Sequence, residues 1–400
     1  MPSDANDRAR LTVAMTHPIQ YYSPWFRYIT SSCPDIDLTV VYATVPTPEQ
    51  QGVGFGVEFE WDTSPLEGYR FVQVRAPRTR DNLHSDRFFG LDVPEMSRAV
   101  EDSKPDAVLV PGWYSVTLAR VLATCQMRGV PTIYRGDSHL GPSGRNRSAG
   151  WAVKTRALLR FFDAYLTVGT LNREYLRHFG VSDRRIFFAP HCVDNELFGS
   201  GAAVVSIAER RNSFRESMRI PAADLVVLFV GKLDLQKRAS DLIAAAARLG
   251  PGVTTVIAGA GEEEARCRAD AARLGTNVVF AGFVNQLALG EYYRAADVCV
   301  LPSTSETWGL VVNESLAAGT PCIVSDGVGC GPDLIRSGVT GYIFKVGDVA
   351  ACADAISRIR DAISMGHDFT MDCRRAVERY SFPVATAGLT EAMWSVRRDT

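Results

Sequence analysis

Short apolar runs alternate with longer amphipathic stretches along the chain. In the first half, the runs that predict strands are RLTVAMT, DLTVVYA, AVLVPG, PTIYRG and AYLTVG. In the second half they are LVVLFVG, TTVIAG, VVFAG, VCVLPS, PCIVSD and GYIF. Helical stretches such as SDLIAAAARLG and GEYYRAA lie between these runs. This alternation is typical of βαβ units, and it predicts an α/β protein built on parallel sheets.

The stretch from about residue 190 to residue 221 contains no strand pattern, and a new strand follows directly after PAAD. A chain of 400 residues also exceeds the usual size of one domain. We therefore predict two Rossmann-like, doubly wound domains that face a cleft, with the boundary after residue 195. In such sheets ligands bind beyond the carboxyl ends of the strands, so the residues that follow each strand are the candidate site residues.

The composition is that of an ordinary soluble globular protein, with 46% hydrophobic and 22% charged residues. A formal net charge of −2 provides no overall attraction to nucleic acid or to an anionic membrane. Nine cysteines are scattered without a CxxC pair or a histidine at metal-binding spacing, which indicates reduced thiols in a cytoplasmic protein. MPSDANDRAR lacks the apolar core of a signal peptide, and no apolar run approaches the ~18 residues of a transmembrane helix.

Two loops that follow predicted strands in the second half carry residues suited to a phosphorylated ligand. The first, GKLDLQKRASDL, contains Lys232 and Lys237. Two compact positive charges suit a diphosphate, although solvated lysines at the start of a helix are also common. The second, GAGEEE, has Gly259 and Gly261, where backbone can approach a ligand. Glu264 stands where a dinucleotide-binding fingerprint needs its third glycine.

A third loop leads into the stretch ETWGLVVNE. Gly319, followed by a proline two residues later, marks a helix end, so GLVVNESLAA predicts a helix that begins near Trp308 and Gly309. The free amides at that end favour a phosphate. Glu306 precedes the helix, and Glu314 lies in its second turn. Carboxylates on either side of the helix end suit two groups of hydroxyls, those of a sugar and those of a ribose.

With these motifs the second half resembles the donor domain of glycosyltransferase family 4, retaining enzymes of GT-B fold. The family has Glu-x-Phe-Gly with a second Glu eight residues after the first, and ETWGLVVNE is similar, with Trp308 in place of Phe. APHCVDNELF resembles the family's Pro-Asn-Gly-Val-Asp linker, with His191 and Cys192 in place of Asn-Gly. The similarity extends from about residue 165 to residue 360. The phosphate loop, the GxG loop and the VxFxGxV run are matched by Gly231, Lys232, Lys237, Gly259, Gly261 and Phe283.

The resemblance implies a role for each matched residue. Lys232 and Lys237 would hold the diphosphate and stabilise charge on the leaving group. Glu306 would bond hydroxyls of the transferred sugar, and Glu314 those of the ribose. Backbone groups would meet the sugar, the phosphate and the base at Trp308, Gly309, Leu310 and Phe283.

The family also implies the absence of a metal and of any other cofactor, because the lysines and the helix end neutralise the phosphates. The nucleoside diphosphate sugar is then a co-substrate. Within the sequence, the acidic stretch DID at residues 35–37 lies at the start of a strand and is no convincing metal motif. GT-B architecture implies a donor domain at residues 196–375 and a C-terminal helix at residues 376–400 that crosses back to the first domain.

The first half contains a polar and aromatic loop after its first strand, THPIQYYSPWFRYI. Ser23 is the predicted N-cap of the following helix, with proline at its first position. The loop lacks the glycine-rich sequence that the family often has here. Its side chains would stack on a sugar or a flat acceptor, or would only pack the helix start. These acceptor-side candidates are His17, Gln20, Tyr21 and Tyr22.

Asp137 and His139 follow the strand PTIYRG. Family 4 members often place a histidine at this strand end, near the reacting sugar carbon. Asp137 falls at that position by count and His139 two residues later, so both are catalytic candidates together with Glu306 and Lys237. The alternative is that they only cap a turn. Trp113 and His84 are weaker candidates for a cleft.

Residues 145–162 contain five basic residues with apolar side chains interleaved among them. No acidic residue occurs between residues 145 and 160. A basic amphipathic helix can lie on an anionic membrane, and the family often uses lipid-linked acceptors. The commoner explanation is a core-packed helix with a solvated basic face. The protein is therefore predicted to be cytoplasmic, or peripheral at the inner face of a membrane.

Other kinds of protein fit the sequence less well. A glycosidase needs a general acid and a second carboxylate flanking the scissile bond, whereas here one glutamate lies on a helix that runs away from the reacting centre. A dehydrogenase needs the complete glycine fingerprint and an acidic residue after the next strand. A non-catalytic nucleotide-sugar-binding protein would keep the donor residues without a working acceptor side, and it stays open.

We predict a glycosyltransferase that moves a hexose-type sugar from a nucleoside diphosphate to a hydroxyl, with retention and without metal. It would act in glycan, polysaccharide or glycoconjugate biosynthesis. The acceptor is a glycan, a lipid-linked molecule or a small molecule, and nucleic acid is not expected to be a partner.

Overall fold

The computed structural model describes residues 8–83, 87–141, 148–199 and 207–398. The chain divides into two compact units. The first comprises Met1–Pro48, Thr63–His191 and Phe382–Thr400, and the second comprises Glu49–Asp62 and Cys192–Ser381. Residues 49–62, which the sequence analysis placed in the first domain, thus group with the second unit.

The described part of the first unit contains seven strands, which are β1 (Ala9–Met15), β2 (Ile36–Tyr42), β3 (Phe71–Gln73), β4 (Ala107–Val110), β5 (Thr132–Tyr134), β6 (Ala164–Thr167) and β7 (Ile186–Phe188). They form one parallel sheet in the order β3-β2-β1-β4-β5-β6-β7. The helices up to residue 191 are α1 (Tyr22–Ser32), α2 (Pro48–Gly52), α3 (Glu95–Asp102), α4 (Val116–Arg128), α5 (Ala149–Leu159) and α6 (Thr170–His178).

The described part of the second unit contains six strands, which are β8 (Leu225–Val230), β9 (Val253–Ala258), β10 (Asn277–Gly282), β11 (Val298–Leu301), β12 (Cys322–Ser325) and β13 (Gly341–Phe344). They form a parallel sheet in the order β10-β9-β8-β11-β12-β13. The remaining helices are α7 (Asn195–Gly199), α8 (Ile207–Ser217), α9 (Ala239–Leu249), α10 (Glu264–Leu274), α11 (Gln286–Ala295), α12 (Leu310–Ala318), α13 (Gly331–Leu334), α14 (Val349–Ser364), α15 (Thr370–Val377) and α16 (Phe382–Arg398).

Central strands of both sheets are buried along their whole length, as in β4, β8 and β11. Continuous burial is expected for parallel strands that are covered by helices on both faces. The strand order reverses between β1 and β4 and again between β8 and β11, which is the Rossmann arrangement. The predicted α/β class with two Rossmann-like parallel sheets is confirmed. The loops after β8 and β11 therefore lie at the switch point of the second sheet.

The structure corrects two local details. The sequence pattern missed β3 and β7, which are only three residues long and lie at opposite edges of the sheet. All three residues of β3 are exposed. Ser23 does not cap α1, because the helix already begins at Tyr22. Its hydroxyl donates instead to the carbonyl of Pro65 at 2.7 Å.

The C-terminal helix α16 belongs to the first unit, where it packs against β6, β7 and α1. The indole of Trp25 donates a hydrogen bond to Oγ1 of Thr386 at 2.9 Å. A Cβ at Gly388 would lie 1.9 Å from the carbonyl oxygen of Phe188, so only glycine allows this approach. No helix in the described parts of the chain is both long and apolar enough to cross a membrane.

Candidate functional site

The loops after β8 and β9 are packed backbone to backbone, and glycine makes this possible. A Cβ at Gly259 would lie 1.8 Å from the carbonyl oxygen of Gly231, and one at Gly261 would lie 2.4 Å from that of Leu233. Gly231 and Gly261 also have positive φ angles of 147° and 154°. The structure thus accounts for Gly259 and Gly261 through the contact between two loops. This contact holds the loop that carries Lys232 and Lys237 at the carboxyl end of β8.

The start of α12 is formed as the sequence predicts, near Trp308 and Gly309. Gly309 adopts φ 100° at the N-cap, and no side chain caps the first amides of the helix. The indole of Trp308 is buried and donates to Oδ1 of Asn313 at 2.8 Å. Its ring also packs on Tyr380, with centroids 5.6 Å apart. The Trp308 side chain therefore packs in the interior and holds the start of α12 in place. Only the backbone of Trp308 is left to contact a ligand.

Lys237 and Glu306 form an ion pair at the switch point, with Nζ 2.5 Å from Oε1. The two side chains are only 20% and 13% exposed. Gln236 reinforces this pairing, because its carbonyl accepts from the Thr304 amide at 2.8 Å and its side-chain amide donates to the Ser305 carbonyl at 2.5 Å. The loops after β8 and β11 are thereby held together beside the start of α12.

Lys232, the second predicted phosphate ligand, lies against residues 53–55. Its Nζ donates to the carbonyl of Val53 at 3.1 Å and lies 4.8 Å from the centre of the Phe55 ring. Burial lowers the pKa of Lys232. The ring of Phe283, whose backbone was predicted to meet the base, is covered by Phe59 at 4.3 Å between centroids.

Glu314 lies inside the second unit, with only 1% of its surface exposed. Its Oε2 accepts a hydrogen bond from the hydroxyl of Tyr293 at 2.6 Å. A carboxylate that is so deeply placed needs such hydrogen bonds to remain in the interior. The predicted ribose ligand is thus buried, and it contacts α11 through Tyr293.

In the first unit, Asp137 lies beside His191, with Oδ2 3.5 Å from Nε2. The His191 ring meets the Tyr22 ring edge to face at 6.3 Å. Burial lowers the pKa of His191, and the nearby Asp137 carboxylate opposes that shift. Asp137 and Tyr22 are thus brought to one cluster by His191, which the sequence analysis treated only as a linker substitution.

Arg135 supports this cluster and was missed in the sequence. It is 3% exposed and donates to the carbonyls of Ala189 at 2.7 Å and Pro190 at 3.1 Å. Its guanidinium also lies 4.4 Å from the Trp25 ring centre. An arginine at the end of the apolar run PTIYRG is the signal that could have identified it, because a buried arginine needs partners.

The other acceptor-side candidates are at least partly buried. His17 Nδ1 is 3.0 Å from Oγ1 of Thr16, and Gln20, Tyr21 and His139 are half-buried. Trp113 packs on the core aromatic rings of Tyr134 and Phe162 and is partly buried against them. His84 lies outside the described residues.

The predicted basic segment is described only from residue 148 onward, so Arg145 and Arg147 lie outside the described residues. Within α5, Leu159 is buried and Trp151 packs edge to face on Phe179 at 5.3 Å. Val153 is 70% exposed, and Lys154 and Arg156 are exposed as well. Across the described residues, no group of three or more His, Cys, Asp or Glu side chains is arranged to hold a metal ion.

Two family models match the chain. Residues 37–192 match the glycosyl transferase 4-like domain, and residues 210–369 match the glycosyl transferases group 1 domain. The D-inositol 3-phosphate glycosyltransferase of Mycobacterium tuberculosis is 31% identical over 194 residues, which are 47% of this chain. The match spans only 38% of that relative's length.

Solved structures resemble the whole chain in fold. The sucrose-phosphate synthase of Thermosynechococcus elongatus has a TM-score of 0.75 at 20% identity and covers 98% of this chain and 100% of its own. Anabaena HepE in complex with UDP and glucose has a TM-score of 0.72 at 15% identity, with 97% and 100% covered. The likeness to these structures shows the GT-B fold. The two family matches, which together span most of the chain, show that it belongs to the glycosyltransferases with a glycosyl transferase 4-like domain followed by a group 1 domain.

Proposed function

We propose that this protein moves a hexose-type sugar from a nucleoside diphosphate to an acceptor hydroxyl, with retention of configuration and without a metal ion. The observation that carries the proposal is the Lys237–Glu306 ion pair at the switch point of the second sheet, beside the open start of α12. Family membership supports the reaction class. The Anabaena relative in fold was solved with UDP-glucose, which supports a nucleotide-sugar donor.

The two lysines supply the positive charge that a diphosphate needs. Lys237 would leave Glu306 for a phosphate oxygen, and Lys232 would bind the other end of the diphosphate. The first amides of α12 would add hydrogen bonds without side-chain competition, since its first turn carries no acidic residue. These groups neutralise the leaving group as its charge develops, which is the task that a metal performs in other enzymes.

Glu306, once released by Lys237, would accept hydrogen bonds from hydroxyls of the transferred sugar. In the retaining reaction that we propose, the bond between the anomeric carbon and the phosphate oxygen breaks as the acceptor oxygen forms its bond to the same carbon. The acceptor's proton passes to the departing phosphate oxygen. Glu314 would reach the ribose after its hydrogen bond with Tyr293 rearranges.

On the acceptor side we propose Asp137 and His139, with His17, Gln20, Tyr21 and Tyr22 as neighbouring contacts. The His191 ring would hold the Asp137 carboxylate in one orientation, because its Nε2 lies within 3.5 Å. The acceptor itself is a hydroxyl of a glycan, a lipid-linked molecule or a small molecule.

The proposed donor site is tested by thermal shift with UDP-, GDP- and ADP-sugars in the presence of EDTA. A ligand at 100 times its dissociation constant stabilises the folded protein by ~2.7 kcal/mol. We expect one donor to stabilise the wild type and to have no effect on Lys237→Ala. The matched control is Lys154→Ala, which removes an exposed lysine from α5 and should respond like the wild type.

If none of the donors stabilises the wild type, the assignment of the donor site is contradicted. If a donor binds but no sugar is released to water or transferred to any acceptor, the chain is a nucleotide-sugar-binding protein. Product formation is measured as release of the nucleoside diphosphate in the presence of candidate acceptors.

We further propose that α5 contacts an anionic membrane when the acceptor is lipid-linked. Exposed Val153 would insert between headgroups beside the exposed basic residues. Co-sedimentation with phosphatidylglycerol-containing vesicles should be lost in Val153→Glu and absent with phosphatidylcholine alone. Equal sedimentation of the wild type and the variant would contradict the proposal.

A further inference from the structure

Residues 53–62, here called the strap, lie on the second unit at the residues proposed to bind the donor. At one end of the strap, the carbonyl of Val53 accepts a hydrogen bond from Lys232, and the Phe55 ring faces the same ammonium group. A Cβ at Gly54 would lie only 2.9 Å from Nζ of Lys232, so the strap backbone approaches this lysine closely. The strap thus occupies one side of a proposed phosphate ligand.

The middle of the strap covers Phe283. The Phe59 ring lies 4.3 Å from the Phe283 ring with an interplanar angle of 32°, and the Phe55 ring meets it edge to face at 5.1 Å. Trp61 packs on Phe59 at 4.7 Å. Rings at these distances are in direct contact, so no further ring fits between Phe59 and Phe283.

The far end of the strap is clamped to the start of α11. The side-chain amide of Asn285 donates to the carbonyl of Glu60 at 2.7 Å, and the amide of Leu287 donates to Oδ2 of Asp62 at 3.1 Å. The first turn of α11 has no acidic residue of its own. Asp62 therefore supplies the negative charge that a helix N-terminus favours.

We propose that the strap is a gate that competes with the nucleoside diphosphate for Lys232 and Phe283. This inference rests on the proposed donor site. A phosphate bound by Lys232 takes the place of the Val53 carbonyl and the Phe55 ring. A base that stacks at Phe283 takes the place of Phe59. Binding then requires the strap to open, and the apparent affinity falls by the fraction of molecules in which it is open.

Loosening the clamp should therefore tighten nucleotide binding. Asp62→Asn removes the charge at the start of α11 without touching Lys232 or Phe283. A charge at a helix N-terminus shifts an equilibrium by about two- to fivefold. We expect the dissociation constant to fall by this factor. Phe59→Ala, which uncovers Phe283, should act in the same direction.

The experiment is a calorimetric titration of the full chain with UDP, GDP and ADP. The variants are Asp62→Asn and Phe59→Ala. Glu58→Gln is the matched control, because it removes one negative charge from an exposed residue of the same strap but not from the clamp. Hydrogen exchange of residues 53–62, with and without the nucleotide that binds, provides the second readout.

Tighter binding by Asp62→Asn and Phe59→Ala, an unchanged control, and faster exchange in the strap on nucleotide binding would support the gate. If the wild type binds a nucleotide but the two variants bind equally or more weakly, or the strap becomes protected, the strap is a wall of the site and the gate is refuted. If no nucleotide binds the wild type or any variant, the donor site itself fails and the gate fails with it.

Discussion

The ion pair between Lys237 and Glu306 allows the sharpest test of the donor site, because it connects stability to binding. Their Nζ and Oε1 atoms are 2.5 Å apart, and the two side chains are only 20% and 13% exposed. Replacing either residue by alanine leaves the other charge with little solvent around it. The two single variants and the double variant form a thermodynamic cycle that isolates the interaction.

The free-energy cost of breaking this ion pair lies between two known limits. Exposed ion pairs contribute about 0.2–1 kcal/mol, whereas breaking a fully buried pair costs about 3–5 kcal/mol. With less than a quarter of either side chain exposed, we expect each single variant to lose about 2–3 kcal/mol of unfolding free energy. The coupling energy should be about 2 kcal/mol, because the double variant leaves no unpaired charge.

The assay is urea unfolding followed by tryptophan fluorescence, since buried Trp308 reports on the same unit. Binding adds a second measurement. Lys237→Ala should lose nucleoside diphosphate binding, whereas Glu306→Ala should still bind the nucleoside diphosphate but gain no affinity from an attached sugar. Additive single effects within about 0.5 kcal/mol would refute the coupling. Retained diphosphate binding in Lys237→Ala would refute its role at the phosphate.

Three further outcomes follow from the structure. Trp308→Phe removes the hydrogen bond to Asn313 and should cost about 1 kcal/mol of unfolding free energy without changing nucleotide affinity, measured by urea unfolding and titration. Gly259→Ala should cost about 3 kcal/mol or more and shift the thermal midpoint, because its Cβ would meet a backbone oxygen at 1.8 Å, whereas exposed Gly150→Ala would meet no neighbouring atom and should cost less. Burial lowers the pKa of His191 from 6.5, so the unfolded state binds the proton more readily than the folded state. The folded state should therefore lose stability as the pH falls below about 6.5. In His191→Asn this pH-dependent contribution to stability should disappear. If unfolding of the wild type and of His191→Asn shows the same pH dependence, the prediction is contradicted.

Local sequence was enough to predict most of the second unit. All its described strands coincide with apolar runs. The central strands β8 and β11 are buried along their whole length, and parallel strands that are covered on both faces need such continuous apolar residues. The limits of α12 were also predictable, since Gly309 and Gly319 adopt the positive φ angles that glycine favours. The first unit was harder, because its edge strand β3 is exposed and only three residues long, which is too short for a clear periodicity.

The contacts that form the candidate site depended on tertiary structure. Lys237 and Glu306 are 69 residues apart in the chain, and Lys232 and Val53 are 179 apart. Periodicity along a chain carries no information about which distant loop will meet a given strand end. For the same reason the sequence placed residues 49–62 in the first domain and overlooked Arg135.

The sequence by itself determined the class of fold, the order of the motifs and the residue types at the carboxyl ends of the strands. These depend on local hydrophobic patterning and on the conformations that glycine allows. Only the tertiary structure decided that Glu314 is buried against Tyr293 and that the strap covers Lys232 and Phe283. Those contacts arise from the packing of elements that are remote in sequence, where burial and charge, and not local propensity, select the partners.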